Sequence, residues 1–171
     1  MKKDTFPILG IDHIEFFVAD AKRAVRDFTH IFGFKEVAYA RAETGVPMVN
    51  SHVLEQGSIT FVITEAIGDT LPIAEHVRKH GNGVRDIALR VPDARRAFKI
   101  AVERGAIPIL VPHINKDENG YIVFATVGTY GDTIHSLVER QNYHGTFMPD
   151  YVPLSDHGSE PVGLCEVDHV V

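Results

Sequence analysis

The sequence predicts an α+β protein in which two βαβββ units form one curved mixed sheet with the helices on its outside. Two observations carry this prediction. First, residues 84–97 repeat the order and residue types of residues 11–24 at an offset of 73 positions. Second, each copy begins with alternating apolar residues, continues with helical spacing and then returns to three further strand-like segments. We therefore predict a module over residues 1–148, with its units at about 8–68 and 82–142.

The first strand of each unit carries one polar candidate residue on the same side. Alternation over residues 11–18 assigns one side of the strand to the helices, namely Ile14, Phe16 and Val18. His13 then faces the concave side of the sheet. The internal repeat places Asp86 at the equivalent position of the second unit.

Each first strand is followed by a predicted helix with recognisable ends. Asp20 suits the N-cap of a helix over residues 21–32, and Gly33 suits its end. The second helix is predicted over residues 94–104, before Gly105. A short helix over residues 71–79 is expected to link the units. The remaining strands are predicted at 34–39, 51–54, 58–64, 107–111, 121–127 and 133–139.

Paired βαβββ units are the signature of the vicinal oxygen chelate fold, which glyoxalases and some dioxygenases share. In metal enzymes of this fold, ligands come from the first and last strands of each unit. Here the first strands offer His13 and Asp86, whereas the last strands offer Phe61 and Ser136. A divalent catalytic site usually needs three protein ligands. We therefore read His13 and Asp86 as vestigial and expect no metal, cofactor or catalytic residue in this module.

Four other polar features have simpler structural interpretations. His76 and His80 are expected on a solvated helix end. Strand neighbours point to opposite faces of a sheet, so His135 is not expected to activate Ser136 as a nucleophile. The remaining two are an exposed ion pair, predicted for Glu139 and Arg140, and a lone reduced thiol, Cys165.

Composition limits the classes of partner and compartment. The formal net charge is -6, and the 17 Lys and Arg residues form no basic stripe, so nucleic acid and anionic membranes are not expected partners. No stretch approaches the roughly 18 apolar residues of a membrane span. A single cysteine permits no intramolecular disulfide, and we expect a cytoplasmic protein.

The end of the chain resembles its beginning. Residues 165–171 begin to repeat the first-strand motif of residues 10–15, after a stretch rich in Gly, Pro, Asp and Ser. We predict a linker at 149–163 and, at 164–171, the first strand of a truncated second domain.

Several motifs resemble the N-terminal half of the 4-hydroxyphenylpyruvate dioxygenase family, whose close relative is hydroxymandelate synthase. They occupy residues 11–16, 38–45, 51–57, 84–89, 129–140, 143–151 and 163–171. This resemblance implies an iron dioxygenase of tyrosine and phenylalanine catabolism that converts 4-hydroxyphenylpyruvate and O₂ to homogentisate and CO₂. It also implies Fe(II) held by two His and one Glu, all supplied by the second domain, with His169 as the first ligand. The chain would then be the non-catalytic N-terminal module, and the iron domain of the same polypeptide its partner.

Other functions remain open at this point. One is a stand-alone binding module that holds an apolar ligand on the concave face. Another is a metalloenzyme whose dimer completes a site from His13 and Asp86. The whole protein could also make hydroxymandelate instead of homogentisate, and self-association into a homo-oligomer is a further expectation.

Overall fold

Both repeats fold as the predicted βαβββ units in a computed structural model that describes residues 5–155 and 160–170. The first repeat contains β1 (Gly10–Phe17), α1 (Ala21–Phe32), β2 (Lys35–Ala40), a 3-10 turn (Ala42–Thr44), β3 (Val49–Gln56) and β4 (Ile59–Ala66). The linking helix is α2 (Pro72–His80). The second repeat contains β5 (Gly83–Arg90), α3 (Ala94–Glu103), β6 (Ile107–Asp117), β7 (Gly120–Gly128) and β8 (Ile134–Glu139). A two-residue strand, β9 (Val152–Pro153), follows.

The two long helices begin in the same way. The Asp20 carboxylate accepts a hydrogen bond from the Arg23 N–H at 2.8 Å, and the Asp93 carboxylate accepts one from the Arg96 N–H at 2.9 Å. These bonds satisfy N–H groups that have no partner inside the helix. Helix α1 ends at Gly33, whose φ of 69° is the left-handed conformation that glycine adopts without strain.

The chain divides into two compact units that follow the repeats. The first-repeat unit comprises His13–Val84 and Asp150–Val171, and the second-repeat unit comprises Met1–Asp12 and Arg85–Pro149. In the first-repeat unit the strand order is β1-β4-β3-β2-β9, and in the second-repeat unit it is β6-β7-β8-β5. The first and last strands of each repeat pair in parallel and the other pairs are antiparallel, so both strand arrangements are mixed.

Each unit packs its long helix on one face of its own strands. In the first-repeat unit the core between α1 and the strands contains Val18, Ala21, Val25, Phe34, Leu54, Ile59 and Ile63. In the second-repeat unit the corresponding core contains Val91, Ala94, Ala97, Val123 and Leu137. Because β1 places Phe16 and Val18 against α1, strand alternation directs His13 and Glu15 to the other face.

Within the part of the chain that the structure describes, no helix combines the length and apolar character that crossing a bilayer requires.

Candidate functional site

A buried carboxylate in the second-repeat unit is held by hydroxyl groups on the face opposite α3. Asp86, on β5, is 4% exposed and accepts hydrogen bonds from the Ser136 backbone N–H at 2.9 Å and from the Ser136 hydroxyl. Since the Ser136 proton is donated to Asp86, the Ser136 oxygen accepts from the Thr126 hydroxyl at 3.1 Å. The pairing of β8 with β5 and β7 brings the three side chains together. Asp86 is therefore the acceptor at the end of a hydroxyl chain.

The first-repeat unit contains a longer chain of the same kind on the face opposite α1. The Thr64 hydroxyl donates to Glu15 at 2.7 Å, so the Thr64 oxygen accepts from the Ser51 hydroxyl at 2.9 Å. Having donated its only proton, Ser51 accepts from the Tyr151 hydroxyl at 2.8 Å. Both units thus end a hydroxyl chain on a carboxylate of their first strand.

The tyrosine at the start of the longer chain stays protonated. Desolvation by burial and the negative charge of Glu15 raise the pKa of the Tyr151 hydroxyl above its usual value of about 10, while its hydrogen bond with Ser51 acts in the opposite direction. Tyr151 therefore donates a hydrogen bond throughout the physiological pH range. The geometry orients both carboxylates: the two Asp86 oxygens accept from the N–H and the hydroxyl of Ser136, and Glu15 Oε1 accepts from the Thr64 hydroxyl.

The histidine predicted as a vestigial ligand is buried. His13 lies on β1 with 6% exposure, in the first-repeat unit, whereas Asp86 belongs to the second-repeat unit. The vestigial role of the two residues stays a prediction. The neighbouring pair His135 and Ser136 behaves as strand alternation predicts, because the His135 ring contacts the Ile87 carbonyl at 2.8 Å while Ser136 contacts Asp86.

The predicted ion pair of Glu139 with Arg140 is wrong. Arg140 binds Asp12 through two parallel hydrogen bonds of 2.7 and 2.6 Å, and Arg90 donates to the same carboxylate at 2.9 Å. The Asp12 side chain is fully buried and that of Arg140 is 18% exposed. Arg140 also donates to the Phe147 carbonyl at 2.6 Å. This cluster, which we call the Asp12 cluster, lies within the second-repeat unit and consists of Asp12, Arg90 at the end of β5, Arg140 directly after β8 and the Phe147 carbonyl.

Glu139 instead belongs to a helix start. Its carboxylate accepts from the Ala94 N–H at 3.1 Å, the first residue of α3. In the other unit, Glu65 at the corresponding end of β4 accepts from the Ala21 N–H at 2.7 Å, the first residue of α1. Negative charge is favourable at a helix N-terminus, so both carboxylates hold a helix against the last strand of their own unit.

The remaining polar candidates are spread over the surface. The rings of His76 and His80 lie 4.6 Å apart on α2, and the His76 ring also packs edge-on against Phe17 at 5.5 Å. Cys165 is an exposed free thiol. The His169 side chain is 71% exposed, and its Nδ1 lies 2.6 Å from the Asp168 carboxylate.

The described residues do not fit an Fe(II) ion on their own. Across residues 5–155 and 160–170, no group of three or more His, Cys, Asp or Glu side chains is arranged to hold a metal ion. The two first-strand carboxylates described above are engaged by hydroxyl donors, which compete with a cation for the same oxygens. An iron site with open coordination positions needs two His and one carboxylate on one side of the metal.

A pocket of about 610 Å³ lies beside α1 in the first-repeat unit. Its walls are mainly apolar and include Phe16, Phe28 and Phe32, with Arg23 and Asn82 among the polar lining residues. Phe16 and Val18 also form part of this wall, so the pocket lies on the helix side of β1 and not on the side of His13 and Glu15.

Sequence reasoning missed most of the polar network. Ser51, Thr64 and Tyr151 carry no motif, and their partners lie between 13 and 100 positions away in the chain. The one available signal was the repeat itself. Glu65 and Glu139 end corresponding strands, and each precedes the end of its unit by a few residues.

Comparison with known proteins identifies relatives of most of the chain. The family model described as "Hydroxyphenylpyruvate dioxygenase, HPPD, N-terminal" matches residues 3–151. The chain is 39% identical over 170 residues to the 4-hydroxyphenylpyruvate dioxygenase of Dictyostelium discoideum, covering 95% of this chain and 46% of that protein. It is 35% identical over 173 residues to the enzyme of that name from Yarrowia lipolytica, covering 95% and 44%. The chain thus spans about half the length of these relatives.

Solved structures share the fold. A triple mutant of 4-hydroxymandelate synthase from Streptomyces coelicolor superposes with a TM-score of 0.79 and 32% identity, over 88% of this chain and 43% of that one. Methylmalonyl-CoA epimerase from Mycobacterium tuberculosis superposes with a TM-score of 0.62 at 20% identity, over 80% of this chain and 91% of that one. The second likeness concerns the fold alone. Together they confirm the predicted vicinal oxygen chelate fold.

Proposed function

Because the chain belongs to the N-terminal-domain family of hydroxyphenylpyruvate dioxygenase, we propose that it is the non-catalytic N-terminal module of a protein that converts 4-hydroxyphenylpyruvate and O₂ to homogentisate and CO₂. The observation that carries the proposal is the family match over residues 3–151, together with relatives about twice as long as this chain. The activity belongs to tyrosine and phenylalanine catabolism. Its iron chemistry is assigned to a second, C-terminal domain of the same polypeptide.

The proposed domain organisation follows from this role. Residues 1–148 form the paired module, 149–163 connect it to the second domain, and 164–171 begin that domain's first strand. Residues 167–170 resemble residues 11–14 in pattern, and in this alignment Asp168 and His169 repeat Asp12 and His13. Within the module, Glu15 and Asp86 lie on the strand faces opposite the helices and are bound by hydroxyl groups. These contacts support a structural role for the two carboxylates.

His169 is the one residue of this chain that we assign to the iron. Its imidazole is exposed and sits beside the Asp168 carboxylate, so it is accessible to a domain that follows. A neutral imidazole is a common iron ligand, and a neighbouring carboxylate can fix which ring nitrogen carries the proton. When bound by two His and one Glu, Fe(II) supplies coordination positions for a 2-oxo acid and for O₂.

A second candidate product is hydroxymandelate. The structural similarity to 4-hydroxymandelate synthase, at 32% identity and a TM-score of 0.79, supports this second product.

Product analysis of the polypeptide that includes the second domain separates these functions. We expect Fe(II)-dependent release of one CO₂ and one homogentisate per O₂ consumed, measured by chromatography and mass spectrometry. Hydroxymandelate in place of homogentisate would support the second candidate. Turnover by the 171-residue chain alone, lost on His13→Ala, would contradict both and favour a dimeric metalloenzyme built from His13 and Asp86.

The proposal also includes a cytoplasmic location and self-association. The single cysteine suits a reducing compartment.

Strand β6 carries apolar side chains that are more than half exposed, namely Ile107, Ile109, Val111 and Ile114. Exposed apolar surface of this kind is typical of protein contacts. Sedimentation velocity tests self-association through β6, and Val111→Glu is expected to shift a dimer toward monomer.

A further inference from the structure

The segment that precedes His169 is bound to the first-repeat unit through one buried side chain. Gln56 ends β3 and is 5% exposed. Its Oε1 accepts hydrogen bonds from three consecutive backbone N–H groups, those of Val162 at 3.0 Å, Gly163 at 3.1 Å and Leu164 at 3.1 Å. Three successive N–H groups that converge on one oxygen form a concave nest, and the left-handed φ of 91° at Gly163 helps to turn the backbone into this shape.

The other end of the same side chain is also engaged. Gln56 Nε2 donates to the carbonyl of Phe32, the last residue of α1, at 2.5 Å. A carboxamide is the side-chain group that accepts at one atom and donates at the other, and the shorter Asn would not span the two sites. Gln56 therefore ties the end of α1 and the segment 162–164 to the same point of β3.

The turn after Gln56 adds two further hydrogen bonds to the segment. The backbone N–H and the hydroxyl of Ser58 both donate to the carbonyl of Cys165 at 2.8 Å. Val167 packs at the edge of the α1 core. The chain is consequently hydrogen-bonded to the first-repeat unit until four residues before His169 and packed against it until two residues before His169.

Two glycines allow the segment to approach this closely. A Cβ on Gly57 would lie 2.7 Å from the Cys165 Cα and 2.8 Å from the Leu164 carbonyl oxygen. A Cβ on Gly33 would lie 2.5 Å from the Glu160 carbonyl oxygen and 2.8 Å from the Val162 nitrogen. These contacts are with backbone atoms, so the segment would have to move to make room for either side chain.

We propose that Gln56, Ser58, Gly33 and Gly57 form a docking site for residues 160–165, and that Gln56 is a positioning residue for the strand that carries His169. This inference rests on the proposed function, because it requires a second domain after the segment. In this arrangement the connection between the domains leaves the first-repeat unit at a fixed point and in a fixed direction. The second domain's first strand then starts from a defined place.

The docking is tested in the 171-residue chain, without iron, by NMR hydrogen exchange. In Gln56→Met, which keeps the side-chain length and removes both polar ends, the amides of Val162, Gly163 and Leu164 are expected to exchange at least about tenfold faster. Gln141→Met is the matched control, because Gln141 is an exposed glutamine whose side-chain amide contacts the Pro92 carbonyl and Glu139 instead of the segment. Unchanged exchange at residues 162–164 in Gln56→Met would overturn the docking.

A second pair of variants separates docking from a general loss of stability. Gly57 and Gly131 have nearly equal φ values of 60° and 58°, but a Cβ at Gly131 would meet no atom within 4 Å. Gly57→Ala and Gly131→Ala therefore share the backbone strain, and only Gly57→Ala should release amides 162–165. Equal exchange of these amides in the two variants would contradict the inference.

The positioning role is tested in the polypeptide that includes the second domain. Gln56→Met is expected to weaken Fe(II) affinity about tenfold, because a released segment has to be ordered again before His169 can bind, while Gln141→Met leaves the affinity unchanged. If the wild-type polypeptide binds no iron, the proposed function fails while the docking result stands. If the wild type binds iron and Gln56→Met binds it equally well with its segment released, the positioning role fails.

Discussion

At the scale of single residues, the most consequential feature is the buried, negatively charged carboxylate of Asp12. Two guanidinium groups face this carboxylate, and Arg140 binds it through both of its oxygens. Bidentate pairs of this kind are strong and directional. Removal of one partner from a buried pair leaves the other charge uncompensated, which costs more than the pair itself contributes.

Asp12→Asn should therefore destabilise the chain strongly. The variant keeps the size of the side chain but leaves Arg140 without its counter-charge, and we expect a loss of about 3 kcal/mol in the free energy of unfolding. Urea unfolding followed by circular dichroism measures it. Asp69→Asn, on an exposed residue, is the control and should change stability by less than about 0.5 kcal/mol. Equal effects of the two substitutions would disprove the importance of the Asp12 cluster.

Tyr151→Phe tests the longer hydroxyl chain. Loss of its donated proton leaves Ser51 with one fewer partner, for an expected loss of about 1 kcal/mol at pH 7. The pKa of Tyr151 is raised in the folded state, so its contribution is complete below the unfolded value of about 10 and declines as the pH rises above it.

Wild type should consequently lose stability more steeply than Tyr151→Phe between pH 9.5 and about 11, a window that starts near the unfolded tyrosine pKa. Denaturant unfolding at several pH values gives both slopes. The pKa of Tyr143 is also raised, but that residue is present in both proteins, and the difference isolates Tyr151. Parallel pH profiles would show that Tyr151 does not titrate as its surroundings imply.

At the scale of elements, the two repeats share one way of starting a helix. An aspartate caps the helix, and a glutamate from the last strand of the same unit binds the first helical N–H. The glutamate couples the helix to a strand that lies more than 40 residues away in sequence. Each helix therefore depends on completion of its own unit.

Glu65→Gln and Glu139→Gln should both destabilise the chain, by about 1 kcal/mol each, because each removes negative charge from a helix N-terminus. The loss should be the larger for Glu65, whose hydrogen bond is shorter and which also accepts from Asn50 at 2.7 Å. Glu103→Gln, at the last residue of α3, is the control. It should be neutral or slightly stabilising, since negative charge is unfavourable at a helix C-terminus. Destabilisation by Glu103→Gln of the same size would argue against the helix-start interpretation.

The sequence was informative where structure is local. Helix α1 lies where Asp20 and Gly33 predict it, because caps act within one turn. Strand β6 extends to Asp117, well beyond the apolar run that predicted it, since pairing with β7 continues through polar residues. Strand β9 has two residues, one of them proline, and no local pattern marks it.

The polar contacts are harder to predict from the sequence, because they depend on the pairing register between strands that are distant in the chain. Glu139 and Arg140 are adjacent, but side chains of neighbouring residues in extended backbone point to opposite sides. Glu139 therefore binds the Ala94 N–H, and Arg140 binds Asp12. Residues 160–163 of the docked segment fall in the linker that Gly and Pro content predicts at 149–163, and residues 164 and 165 fall in the strand predicted at 164–171. Its attachment depends on Gln56, more than 100 positions earlier.

At the scale of the whole molecule, the role that we propose for this chain is that of the N-terminal half of a two-domain iron enzyme. The described residues provide a complete fold with internal polar networks but no three-ligand metal group. The chain spans about half of its relatives, and its segment before His169 is held in place. The coverage of the relatives and the hydrogen-bonded segment support the proposal that this module precedes a catalytic domain and contributes a single ligand to it.

The most direct test is the iron content of the polypeptide that includes the second domain, measured by mass spectrometry of metals after gel filtration. We expect about one Fe(II) per wild-type polypeptide, the same for His13→Ala, and loss of retained iron for His169→Ala, because removal of one of three protein ligands weakens binding severely. Full iron retention by His169→Ala, or loss of iron only in His13→Ala, would contradict the assignment of His169 as an iron ligand.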